Sequence, residues 1–258
     1  MISSDFRTEA RRKLDGKWGK AVLIMLAYCL IFFLINFIEG LLPDSYTWIA
    51  NIINLVIEIP LSFGLIFAFI NLYKDVEVKS FDFLKLGFGN FGKSWGITFQ
   101  IFLKMLIPTI LIIVSYILII VGSTLYGVAL LSTTTSYYAY LFILIVGFIL
   151  LVVSAIWATT KSFYYQLSYI IAVDNEAMSA EDTVLESEKL MTGKRAKLFW
   201  LQLSFIGWAI LAAITLGIGF LWLMPYIQFA TIVFYEFAKG NTVTTEIDTS
   251  DNNGSTEE

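Results

Sequence analysis

Histidine is absent from this 258-residue chain, and cysteine occurs once. These two scarcities remove the usual ligands of zinc and haem, the His-Glu-x-x-His metalloprotease site and any Ser-His nucleophile pair. The lone thiol, Cys29, forms no internal disulfide. Leu26-Ala-Tyr-Cys29 is a poor lipoprotein cleavage site, because Tyr28 is bulky where a small residue is required. The thiol therefore reads as a buried apolar group. The first apolar stretch exceeds the ~7 to 15 residues of a cleaved signal core and reads as a retained signal anchor. No Gly-x-x-x-x-Gly-Lys-Ser/Thr loop offers to hold a nucleotide's phosphates. Aspartate is missing from the apolar interior, since Asp44, Asp75 and Asp174 stand at the ends of apolar stretches. The expectation is a non-enzyme with no cofactor, no metal site and no nucleic-acid partner.

Charge is scarce as well. Charged residues make up 15% of the chain, against about 25% in an ordinary soluble domain, while 58% is hydrophobic and the mean hydropathy is +0.76. The apolar residues gather into six stretches, at about 21–42, 48–73, 95–121, 140–158, 198–216 and 220–238. Each reaches the ~18 to 20 residues a helix needs to cross ~30 Å of hydrocarbon. A barrel would alternate polar and apolar residues, and runs such as Leu141-Phe-Ile-Leu-Ile-Val146 do not. The expected fold class is all-α: a polytopic membrane protein with six transmembrane helices as three hairpins, plus short amphipathic cytoplasmic helices.

Sixteen of the seventeen Lys and Arg residues precede the first span, separate the second from the third or the fourth from the fifth, or follow the sixth. The other loops, 43–47, 122–139 and 217–219, contain none. Positive residues stay in the cytoplasm, so both termini are expected inside a plasma membrane. Trp18, Trp95, Trp157 and Trp200 fall near predicted inner ends, and Trp48 and Trp222 near outer ones, where the indole ring favours the headgroup level. The net charge of −4 is concentrated in a polar tail, 241–258, which carries five acidic residues and reads as disordered. Without the tail, basic inner loops suit anionic lipid headgroups. The domain plan is thus a basic amphipathic segment over 1–20, a six-span membrane domain over 21–240 and the acidic tail.

A repeated unit runs through the chain. Gly16-Lys-Trp-Gly-Lys20, Gly92-Lys-Ser-Trp-Gly96 and Gly193-Lys-Arg-Ala-Lys197 precede the first, third and fifth spans. Before each lies a short segment that starts at a serine with acidic residues close by: Ser4, Ser80 and Ser179. Serine caps an early amide, acidic groups suit the positive helix end, and glycine ends the helix. Ile2, Phe6, Ala10 and Leu14 form one apolar face beside Arg7, Arg11 and Arg12. Phe81, Leu84, Phe88 and Phe91 form another. Such helices are expected in the interface plane, while the acidic third one, around Val184 and Met191, packs on protein instead. Pro60 precedes Lys74, and Pro225 precedes Lys239, by the same interval. A unit of two spans keeps its orientation, so the repeats are parallel rather than inverted.

Several of these segments also resemble one family. Gly16-Lys-Trp-Gly, Leu84-Lys-Leu-Gly-Phe-Gly-Asn-Phe-Gly-Lys93, Leu185-Glu-Ser-Glu-Lys-Leu-Met-Thr-Gly-Lys194 and Leu221-Trp-Leu-Met-Pro-Tyr-Ile-Gln228 resemble the bacterial integral membrane family called domain of unknown function 975. The resemblance covers nearly everything except the polar tail. It implies a multi-pass bacterial plasma-membrane protein with no assigned activity, and it carries over no catalytic or binding residue.

The candidate site is therefore drawn from polar residues inside the spans. Counted from Trp48 and Trp95, Glu58 and Lys104 reach a similar depth of ~13 to 15 Å. An isolated charge at the bilayer centre costs at least ~2.5 to 3.5 kcal/mol, so the economical expectation is that the two pair. Pro60, Pro108 and Pro225 free backbone carbonyls near Glu58, Lys104 and Gln228. Freed carbonyls beside charges suit the broken helices of transporters. The plainer alternative is an assembly pair with prolines that only kink. Two function classes stay open: transport of a small solute or ion along this polar path, or a non-catalytic scaffold that recruits envelope or lipid-associated partners through its cytoplasmic loops. Either admits a membrane-protein partner or a homo-oligomer.

Overall fold

The computed structural model describes residues 2–131 and 137–240; the acidic tail and the Ser/Thr-rich segment at 132–136 lie outside the described residues. Among the described residues there are only helices. Six candidate spans are long and apolar enough to cross a membrane. They are α2 (Trp18–Gly40), α3 (Thr47–Tyr73), α5 (Phe91–Leu131), α6 (Tyr137–Tyr165) continued by α7 (Ser168–Asp174), α9 (Arg195–Leu203) continued by α10 (Ile206–Ile214), and α11 (Phe220–Ala238). Three short helices, α1 (Ser3–Leu14), α4 (Asp82–Gly89) and α8 (Ala180–Met191), each lead into one pair of these.

The middle pair departs most from the expected lengths. Residues 122–131, expected in an outer loop, continue α5 to 41 residues, about 61 Å at ~1.5 Å per residue. Ser123 and Thr124 there bond back to the carbonyl of Ile120 and so satisfy their hydroxyls within the helix. Small residues then bring α5 and α6 together: a Cβ on Gly122 would lie 2.9 Å from the Leu144 amide, and one on Gly147 would lie 3.0 Å from Leu118 and Ile119. Close backbone approach of this kind is how helices associate where no water drives them. Both helices expose large apolar side chains along their length, among them Ile120 at 62% and Phe142 at 67%. So much continuous apolar surface needs lipid to cover it.

The short helices are arranged cyclically. α4 packs on α3, α8 packs on α5, α6 and α7, and α1 packs on α11. Each therefore touches the second helix of the preceding pair, α8 reaching the first as well, and α1 closes the ring by joining the last one. Phe6 sits between Phe234 and Phe237, with ring centroids 5.4 and 5.3 Å away.

α1 and α4 each pack one face on protein. α4 runs antiparallel along α3, because a Cβ on Gly64 would meet the Phe83 carbonyl and Gly87, and one on Gly87 would meet the Pro60 carbonyl. The buried face of α4 is Phe83 with Gly87, whereas Phe81, Phe88 and Phe91 are exposed. Period alone reveals that a face is apolar and not whether protein or lipid covers it. On α1 the expected face holds for Phe6, Ala10 and Leu14, but Ile2 is exposed.

The Gly-Lys corners have a shared structural role. Lys17 donates to the carbonyl of Leu72 at 3.1 Å, Lys93 to that of Ala172 at 2.9 Å and Lys194 to that of Ala238 at 2.7 Å. These acceptors lie at the C-terminal ends of α3, α7 and α11, where a cation meets the negative end of the helix. The lysine of each unit thus ties the start of its own pair to that pair's end. Gly16 and Gly193 turn the corner with φ of +71° and +76°. Gly92 lies inside α5, so the middle corner is made at Asn90.

Only Ser179 caps as expected, accepting from the Asp182 amide at 3.1 Å. In the other two units aspartate takes over: Asp5 accepts from the Ile2 amide and Asp82 from the Lys79 amide, each at 2.8 Å.

Candidate functional site

Glu58 and Lys104 do not meet. Lys104 Nζ lies 3.1 Å from Glu188 Oε2 on α8. The adjacent Ser187 donates to the carbonyl of Tyr164, so Lys104 is level with the foot of α6. The depth count failed at its reference point, because Trp95 packs on protein. Its Nε1 donates to the Val56 carbonyl at 3.4 Å, the group left without its helical donor by Pro60.

The three prolines lie inside helices that continue through them. The interruptions come instead at 166–167 and 204–205, where no proline stands. Arg7 reaches the second of these, donating to the Ser204 carbonyl at 3.5 Å. Arg12 is bound in bidentate fashion to Glu9 at 2.7 and 2.8 Å. Arg11 lies over the ring of Tyr226, 5.6 Å from its centroid.

Glu58 opens onto a cleft of about 300 Å³ between α2 and α3, which Asn36, Glu39, Asn51 and Asn54 also line. Glu39 and Asn54 are hydrogen-bonded across it. These four polar residues thus gather around Glu58, while Lys104 and Gln228 do not line this cleft. Four residues apart on one helix, Asn54 and Glu58 share a face, and Asn51 precedes them by one turn. That spacing was the available signal.

A second polar centre lies where the helix ends converge. Asp174 accepts from Lys74 and Lys239, each at 2.6 Å, and from the Tyr235 hydroxyl at 2.8 Å. It links the ends of α3, α7 and α11. Its carboxylate raises the pKa of Lys239 above the ordinary lysine value. Sequence position made Asp174 appear a mere boundary residue, since nothing local reveals two lysines so distant in the chain.

Above this node the helices meet through aromatic side chains. Phe69 lies 6.4 Å from Phe229, Tyr73 lies 5.7 Å from Phe229, and Phe63 lies 5.3 Å from Tyr169. Phe63, Phe69 and Phe229 are fully buried. Donor groups of the kind that hold a metal do not cluster among the described residues.

Residues 1–242 match the family model described as Protein of unknown function (DUF975), and the chain belongs to that family. No curated protein and no solved structure matches it.

Proposed function

We propose that this family member is a non-catalytic scaffold of the bacterial plasma membrane, with three transmembrane hairpins, both termini in the cytoplasm, and α4 and α8 presented at the inner face. The observation that carries the reading is the packed centre: buried Phe63, Phe69 and Phe229 fill the meeting of α3, α7 and α11, and Asp174 ties their ends together. A solute or ion moving between hairpins would need polar groups or water along that line. Aromatic side chains at this packing density present neither. Glu58 lines a cleft apart from Lys104 and Gln228, which favours the scaffold over a polar path through all three.

In this reading Lys104 and Lys161 mark the inner boundary, and the apolar belt of α5 and α6 beyond them is in lipid. Recruitment falls to the inner segments, which carry the exposed Phe81 and Phe88 and the acidic face of α8.

Two measurements test this. Reconstituted protein is expected to add neither ion conductance nor small-solute permeability to liposomes, while a photo-crosslinker at Lys85 in cells yields a discrete membrane-protein adduct. Conductance that disappears in Glu58→Gln would replace the scaffold with a transporter. Membrane-impermeant reagents that label residue 85 in intact cells would reverse the orientation.

A further inference from the structure

Two clefts occupy comparable joints of the ring, and both combine an arginine held on a tyrosine with an apolar floor. The first lies where α10 and α11 meet α1 and α2, has a volume of about 400 Å³ and is lined by Arg11, Trp18, Trp208, Thr215, Trp222 and Tyr226. The second lies where α6 meets α9, has a volume of about 750 Å³ and is lined by Thr159, Thr160, Phe163, Arg195, Ala196 and Phe199. In each, a second helix of one unit faces the corner of the next.

The correspondence extends to position. Trp18 and Arg195 each stand two residues after their corner glycine, and each reaches a tyrosine on the preceding pair: Trp18 lies 6.2 Å from Tyr226, and Arg195 lies 4.1 Å from Tyr164. Where the first unit places tryptophan, Arg11 supplies the cation over the same Tyr226 ring, at 5.6 Å. At the third joint, Trp95 itself bonds to α3.

Arg11 and Arg195 are the charged groups lining these clefts, and among the described residues neither forms an ion pair. Arg11 and Trp18 also line an adjoining hollow with Thr8, Arg12 and Asp15. A guanidinium resting on an aromatic face keeps its edge donors free for a bidentate partner. Such a fork fits a phosphate. Behind it, tryptophan, leucine and phenylalanine side chains offer an environment for hydrocarbon.

We propose that the two clefts are binding sites for an anionic glycerophospholipid, its phosphate held by Arg11 or Arg195 and the start of an acyl chain lying in the apolar floor. No carboxylate lines either cleft to hold the ammonium of a zwitterionic headgroup. The inference requires only a membrane-embedded body and stands whether or not that body recruits partners.

Native mass spectrometry of the purified full-length chain with phosphatidylglycerol tests it. Two lipids are expected to stay bound to the wild type. Arg11→Gln and Arg195→Gln should each weaken one of them about tenfold, the loss of one charge-assisted contact. Lys85→Gln, which removes an exposed charge outside both clefts, should bind as the wild type does. Ala196→Phe should expel the second lipid although Arg195 remains. Unchanged melting without lipid separates these losses from misfolding, and the two clefts report independently. The proposal is overturned if Lys85→Gln weakens binding as much as the arginine variants, if phosphatidylcholine binds equally well, or if inorganic phosphate displaces the lipid.

Discussion

Replacing Lys93 with methionine removes hydrogen bonds to the carbonyls of Ala172, Asn175 and Glu176 together. These groups crowd the end of α7, so the loss should cost about 1 to 2 kcal/mol. Lys194→Met takes one bond from the end of α11 and should cost less; thermal unfolding in detergent measures both. Lys239 adds a pH dependence. Its hydrogen bond to Asp174 raises its pKa in the folded chain above 10.5. A raised pKa stabilises the fold while pH stays below the unfolded value and ceases to do so as pH rises through the folded one. The stability difference between wild type and Lys239→Met should therefore be full at neutral pH and shrink above about pH 10.5. A difference that grows with alkalinity would contradict this ion pair.

At the level of helices, the contact of α3 with α4 is the least forgiving. A methyl group on Gly64 would lie 2.0 Å from the carbonyl oxygen of Phe83 and 2.7 Å from the amide of Gly87, both backbone atoms that cannot turn aside. Gly64→Ala should destabilise the protein by ~3 kcal/mol or more. Gly127→Ala, with nothing within 4 Å of its Cβ position, should instead gain up to ~1 kcal/mol of helix propensity. Paired unfolding curves decide between them. The six spans were legible because apolar length is a local property of the chain. The repeats were legible too, since Gly-Lys corners recur at recognisable places. The faces of α4 were not, because Phe83 and Gly87 acquire their meaning only from Pro60 and Gly64 across the contact. Lys104 was misjudged for a related reason: Trp95 looks like a headgroup marker until its indole is seen bonded to Val56. Partners such as Glu188 and Asp174 are separated from their lysines by most of a repeat or more, a distance over which residue patterns carry no signal.

In the whole molecule, each short helix packs on the second helix of the unit before it, and that relation is cyclic although the chain is linear. α1 treats α11 as α4 treats α3. α1 and α11 meet by packing, without a direct chain connection from Gly240 to Ser3. A circular permutant that begins at α4 and joins residue 240 to residue 2 through a short linker should insert, fold and melt within a few degrees of the parent. The same logic sets an order on biogenesis: α1 is made before α11 and waits for it, and a chain cut short of α11 leaves Phe6 without Phe234 and Phe237.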